Sequence, residues 1–165
     1  MTNVKITTSE GDLLVKLEDE LTPKTVHNFL QYVDEGFYTN TLFHRVIKDF
    51  MVQGGGFKTG MAAQTAKAPI ENEAALGLKN TLGTLSMARL PDPHSASSQF
   101  FINVAHNSFL DFKAPTADKF GYCAFGTVIE GLDVLQRMAT VPTTTRAGHS
   151  DVPVKDLLIV RIERI

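Results

Sequence analysis

Cysteine occurs once in the 165 residues, at Cys123, so no internal disulfide and no multi-cysteine metal site can form. That usage suits a reducing compartment. A basic excess is missing too. Sixteen Lys and Arg against 18 Asp and Glu leave a formal net charge of −2, which argues against nucleic acid as a partner, because a phosphate backbone is neutralised by clustered cations. Long apolar runs are absent. The longest aliphatic run, Leu157 to Val160, falls far short of the roughly 20 residues that span a bilayer. Met1-Thr2-Asn3-Val4-Lys5 opens the chain without an apolar signal core, so a cytoplasmic protein with no membrane partner is expected.

The usual reactive motifs are also missing. His27, His44, His94, His106 and His149 include no i, i+4 pair with a glutamate between them, so a zinc site is disfavoured and no metal is expected. Gly54-Gly55-Gly56 is not followed by Gly-Lys-Ser/Thr. The three glycines read instead as a sharp bend or a close backbone approach rather than a phosphate cradle. Ser95, Ser97 and Ser98 lack the G-x-S-x-G elbow of a nucleophile. Cys123 sits in an apolar strand pattern and reads as an inert core thiol. His27 reads as solvent-facing, and His44 as a hydrogen-bonded structural group. Internal repeats, low-complexity tracts and linkers are likewise absent.

What is present describes one domain over residues 1–165, long enough to bury a core without staples. Its 43% hydrophobic and 21% charged residues belong to a folded globular chain, not a disordered one. Val4, Ile6 and Thr8, then Leu13, Val15 and Leu17, alternate with polar neighbours and predict a β-hairpin with one buried face. Thr22 as N-cap, Pro23 at the first helical position and Gly36 at the end bracket a helix. Its apolar stripe is Val26, Phe29, Leu30 and Val33. Strands are expected at 42–47, 50–53, 83–88, 98–104, 122–128 and 157–165, with a second helix at 132–138. Residues 54–80 carry no periodicity of their own, a mark of a functional or mobile stretch. Many short strands with few helices point to a β-barrel or sandwich.

Arg45 lies among large apolar residues, followed by an amide at Gln53. A cation in such company is costly unless it is used, although an edge arginine with a packed stem and a hydrated head would look the same. Alternation puts Phe100, Ile102 and Val104 on one face and Gln99, Phe101 and Asn103 on the other. It likewise puts Met51 and Gln53 opposite Phe50 and Val52. Two strands thus each present a large apolar group beside an amide. That is the composition of a binding surface, but packing over a barrel end would produce it equally well.

Phe43-His44-Arg45-Val46-Ile47 and Phe50-Met51-Val52-Gln53-Gly54-Gly55-Gly56 resemble the signature of the cyclophilin family of peptidyl-prolyl isomerases. Further matches follow in order at Ser86-Met87-Ala88, Ser98-Gln99-Phe100-Phe101-Ile102, Phe109-Leu110-Asp111 and Phe125-Gly126-Thr127-Val128. Gly121-Tyr122-Cys123-Ala124-Phe125 and the short first loop look most like the bacterial cytoplasmic branch. The resemblance implies a mainly β fold, a closed eight-stranded antiparallel β-barrel capped by two α-helices, with its groove outside the barrel. It implies a cofactor-independent isomerase that acts on proline-containing peptides and on unfolded or folding proteins, and a monomer is expected because nothing in the sequence demands a partner chain. Carried over by position, Arg45, Phe50 and Gln53 are the catalytic residues. Met51, Phe101 and Leu110 complete the proline pocket with Phe50, while Ala88 and Gln99 line the groove. Arg89 stands where asparagine is commoner, and its expected contact with substrate is through the backbone. Phe109 replaces a tryptophan found in many eukaryotic members. Phenylalanine has no indole N–H to donate, so only weak cyclosporin binding is implied. Tyr122 stands where many members have histidine and lines the pocket.

Overall fold

The alternation at the N-terminus forms the hairpin it predicts. β1 (Asn3–Thr8) and β2 (Gly11–Leu17) pair antiparallel with Thr8 opposite Gly11, and Val4, Ile6, Leu13, Val15 and Leu17 are fully buried on one face. In the computed structural model, which describes residues 1–165, α1 (Pro23–Asp34) follows. Its C-terminus closes as Gly36 predicts. Gly36 has φ +71, its N–H donates to Val33 O, and that of Phe37 donates to Tyr32 O, the two bonds of a Schellman motif.

The N-terminus of α1 departs from expectation. The Thr22 hydroxyl donates backward to Glu18 O instead of accepting from the helix. The capping acceptor is Glu73, 48 residues away, whose Oε1 accepts from both N and Oγ1 of Thr25 at 2.7 Å. A distant carboxylate does the work of a local cap, and its charge also suits the positive helix end.

β3 (Thr41–Ile47), β4 (Met51–Lys58), the two-residue β5 (Ala62–Ala63), β6 (Thr84–Met87), β7 (Phe100–Asn103) and β8 (Ala124–Glu130) follow, then α2 (Leu132–Ala139). The chain ends with β9 (Thr143–Arg146), β10 (His149–Pro153) and β11 (Leu158–Arg164). Hydrogen-bonded neighbours run β3-β11-β1-β2-β8-β6-β7-β4, and β4 pairs back onto β3. Every pairing in this circuit is antiparallel, so the eight strands close into a barrel and leave no open edge. Phe43, Phe100, Phe125, Ile6, Leu13 and Leu85 fill it with essentially no exposure. The stripe of α1 plugs one end, where the Phe29 ring lies 5.4 Å from Phe100 and 5.2 Å from Phe125.

Two expectations are corrected, and one element is new. The glycines after Gln53 do not end the strand, because β4 runs through them to Lys58. A Cβ at Gly54 would sit 2.7 Å from Leu42 O, and one at Gly55, where φ is +93, 2.9 Å from Ser98 O. The run therefore permits close approach without a break. Cys123 precedes β8 rather than lying within a strand, yet it is buried, with its thiol pushed up to about 12 by desolvation, which keeps it inert. The β9–β10 hairpin was not foreseen. Thr143-Thr144-Thr145 is polar and exposed, so periodicity carries no trace of it.

Candidate active site

Register assembles the site. Arg45 on β3 is opposite Gln53 on β4, and Gln53 is opposite Phe101 on β7. The three side chains form one row across the outside of the barrel, since residues in register share a face. Below and beside that row, Met51, Phe101 and Leu110 make a small buried cluster separate from the barrel core, with Phe50, Ala88 and Tyr122 packed against it. Phe101 and Met51 are therefore buried (4% and 1% exposed) but outside the main core. Phe50 reaches the same face despite its parity. It lies in the turn before β4, where Asp49 has φ +60 and the Phe50 N–H donates to Ile47 O, so strand alternation does not govern it.

The result is a slot of about 130 Å³ lined by Arg45, Phe50, Met51, Gln53, Ala88, Arg89, Phe101, Leu110 and Tyr122. Gln99 lines an adjoining cleft of about 260 Å³ with Gln53, Ala88 and Arg89. Phe109 lines a third, of about 580 Å³, while its ring stacks 5.7 Å from Phe50. Nine of the residues expected from the sequence thus share the slot, and the other two flank it.

Of the two readings the sequence leaves open for Arg45, the structure shows the edge arginine. Its side chain is exposed and overhangs an apolar floor. It takes part in no ion pair. Its Nη1 donates to Gln53 Oε1 at 3.4 Å, a long bond, and Gln53 Nε2 donates to Gln99 Oε1 at 3.0 Å. A guanidinium so loosely held retains donors for a ligand in the slot. His44 also differs from expectation. It is buried but not hydrogen-bonded at Nδ1, and it packs against Phe57 and His149 at 4.6 and 6.3 Å. Burial, with His149 and Arg45 nearby, pushes its imidazole down to about 4.

Sequence reasoning missed the support beneath the slot. Asn80 donates from N and Nδ2 to Asp111 Oδ1 and from Nδ2 to Tyr122 O, and its Oδ1 accepts from Ser86 and Asn103. Asn107 donates to Phe50 O and Asn103 Oδ1. These bonds anchor the backbone on three sides of the slot. Alternation predicts Asn103 on an outer polar face. It is fully buried instead, and only its neighbours in the fold make that possible.

The pattern described as "Cyclophilin type peptidyl-prolyl cis-trans isomerase/CLD" matches residues 3–164. The chain belongs to this cyclophilin family. Peptidyl-prolyl cis-trans isomerase B of Escherichia coli is 52% identical over 152 residues, covering 92% of this cyclophilin and 93% of its relative. A peptidyl-prolyl cis-trans isomerase of Streptomyces antibioticus is 50% identical over 159 residues, covering 96% of each. Among solved structures, a cyclophilin type isomerase of Cryptosporidium parvum, crystallised in the presence of the dipeptide Ala-Pro, superposes with a TM-score of 0.83 at 32% identity. The match covers 98% of this chain and 97% of that one. This cyclophilin is a peptidyl-prolyl cis-trans isomerase, and none of its helices is long and apolar enough to cross a membrane.

Proposed function

We propose that the slot grips the proline ring of an X–Pro peptide and that Arg45 stabilises the twisted amide during rotation. The barrier to that rotation, about 18–20 kcal/mol, is the loss of amide resonance. X–Pro bonds are the suitable substrate because their cis form lies only about 0.5–1 kcal/mol above trans. As the bond twists, the prolyl nitrogen becomes pyramidal and regains a lone pair. A guanidinium N–H can donate to that lone pair but has little to donate to in the planar amide. Such a bond strengthens only in the transition state, which raises turnover rather than affinity.

Phe50, Met51, Phe101 and Leu110 hold the ring in this reading, and Tyr122 closes one side. Gln53 engages the flanking peptide backbone together with Ala88, Gln99 and the backbone of Arg89. Proline-containing peptides and folding polypeptides are the partners that fit, since recognition extends only to a ring and adjacent main chain. The observation that carries the proposal is the Arg45–Gln53–Phe101 row, with an arginine free of carboxylates beside an apolar slot.

The test is isomerisation of X–Pro peptides in a protease-free assay. Arg45→Ala should lower turnover about 100-fold, the scale of removing one such donor, with the circular dichroism spectrum unchanged. Arg45→Lys should recover little, because an ammonium lacks the planar fork. Near-normal turnover of Arg45→Ala would end this reading.

A further inference from the structure

Arg89 is the second cation at the slot, and its situation is the reverse of that of Arg45. Nε donates to Gly121 O at 3.0 Å, Nη1 to Leu90 O and Pro91 O at 2.9 and 3.1 Å, and Nη2 to Ala117 O at 3.1 Å. The guanidinium carbon lies 4.8 Å from the centre of the Tyr122 ring. Four backbone carbonyls and an aromatic face occupy a head group with five N–H donors. The head of Arg89 is therefore spent inside the protein and is not offered to a substrate.

Those carbonyls come from two segments, which also meet where the His94 ring lies 5.1 Å from Phe120. One continues from β6, and the other is the loop between Asp111 and Tyr122. Residues 113–119 of that loop are mostly exposed, and their internal backbone bonds are confined to Lys113, Ala114, Thr116 and Lys119. Tyr122, at the end of the loop, meets Phe101 edge-on at 5.7 Å. Arg89, Tyr122 and Phe101 thus form a contact series leading from the loop into the slot.

We propose that Arg89 is a positioning residue, whose guanidinium clamps the 112–121 loop to the end of β6 and holds the Tyr122 ring against Phe101, fixing the width of the slot. The inference rests on the proposal that proline occupies this slot. A wall grips the proline ring equally in the planar and twisted amide. Its loss is uniform, affecting affinity and not turnover. Arg89 and Arg45 should therefore separate cleanly in kinetics.

Exchange spectroscopy on an X–Pro peptide yields both its Kd and its turnover on the enzyme. Arg89→Met keeps the aliphatic stem and removes every donor. It should weaken Kd about fivefold and leave kcat within about twofold, with an unaltered circular dichroism spectrum. Arg89→Lys, able to reach only some of the carbonyls, should fall between. Tyr122→Ala should weaken Kd by itself, and adding Arg89→Met to it should cost nothing more, because the clamp acts through that ring. Wild-type Kd in both Arg89 variants, a fall in kcat at constant Kd, or additive losses in the double variant would overturn the clamp. Arg45→Ala, measured alongside, distinguishes the two failures. If its turnover collapses while Arg89→Met binds normally, the clamp alone is wrong, and if its turnover persists, the slot reading falls and takes the clamp with it.

Discussion

Phe109 stands at the rim of the slot, 65% exposed, with its ring stacked on Phe50. It supplies apolar surface but no donor. Phe109→Trp should tighten cyclosporin binding about fivefold, the worth of one net hydrogen bond of about 1 kcal/mol, and titration calorimetry reads the change directly. Unchanged affinity would mean that the missing N–H is not what limits the macrocycle. Individual residues were legible to unequal degrees. Met51, Gln53, Phe101 and Leu110 were named from alternation or motif position and share the slot. The exposure of Arg45 was not legible, because an apolar neighbourhood in sequence does not say whether a side chain lies under its neighbours or over them. His44 shows the same limit. Its burial against Phe57 and His149 depends on a hairpin more than 100 residues away.

At the scale of elements, α1 illustrates how a correct boundary can have an unforeseen cause. Thr22 and Pro23 place the helix start correctly, yet the cap is the Glu73 carboxylate. Glu73→Ala would leave the buried Thr25 N–H without its acceptor and should cost about 1–2 kcal/mol of unfolding free energy. Glu73→Gln, which keeps an acceptor oxygen, should cost less. Urea denaturation of the two variants checks this, and a wild-type midpoint for Glu73→Ala would return the capping role to a local group. The strands around the site were legible because each alternates or carries a recognisable motif. The sequence pattern predicts β4 too short, since glycines give no periodic signal and only the nearness of β3 and β7 shows why they are there.

For the whole molecule, the seam where the barrel closes and the β9–β10 hairpin packs on β3 sets a dependence on pH. His44 is neutral in that seam, its value lowered from 6.5 to about 4 by burial and by His149 and Arg45. The unfolded chain accepts a proton near 6.5 and the folded chain only near 4. Between those values the unfolded state binds more protons, and stability falls as pH falls. The contribution is fully present above about 6.5 and is lost progressively toward 4, by up to about 3.5 kcal/mol at roughly 1.4 kcal/mol per pH unit. Urea midpoints across that range should drop less steeply in His44→Phe than in wild type, and equal slopes would show that His44 does not sense pH.

The sequence alone determined the first hairpin, the first helix and the amphipathic faces, whereas the slot residues were set by resemblance to the cyclophilin signature. The hairpin, helix and faces follow from spacing within a short stretch of chain, a physical consequence of a 3.6- or 2-residue repeat. Alternation alone left the slot residues as compatible with packing over a barrel end as with binding. Only the tertiary structure decided that Arg45 is left free while Arg89 is spent on four carbonyls, that Glu73 caps a helix begun 50 residues earlier, and that Asn80 ties the slot walls together. Those outcomes depend on which distant groups meet once the barrel has closed, and hydrogen-bond partners far apart in sequence leave no local signal.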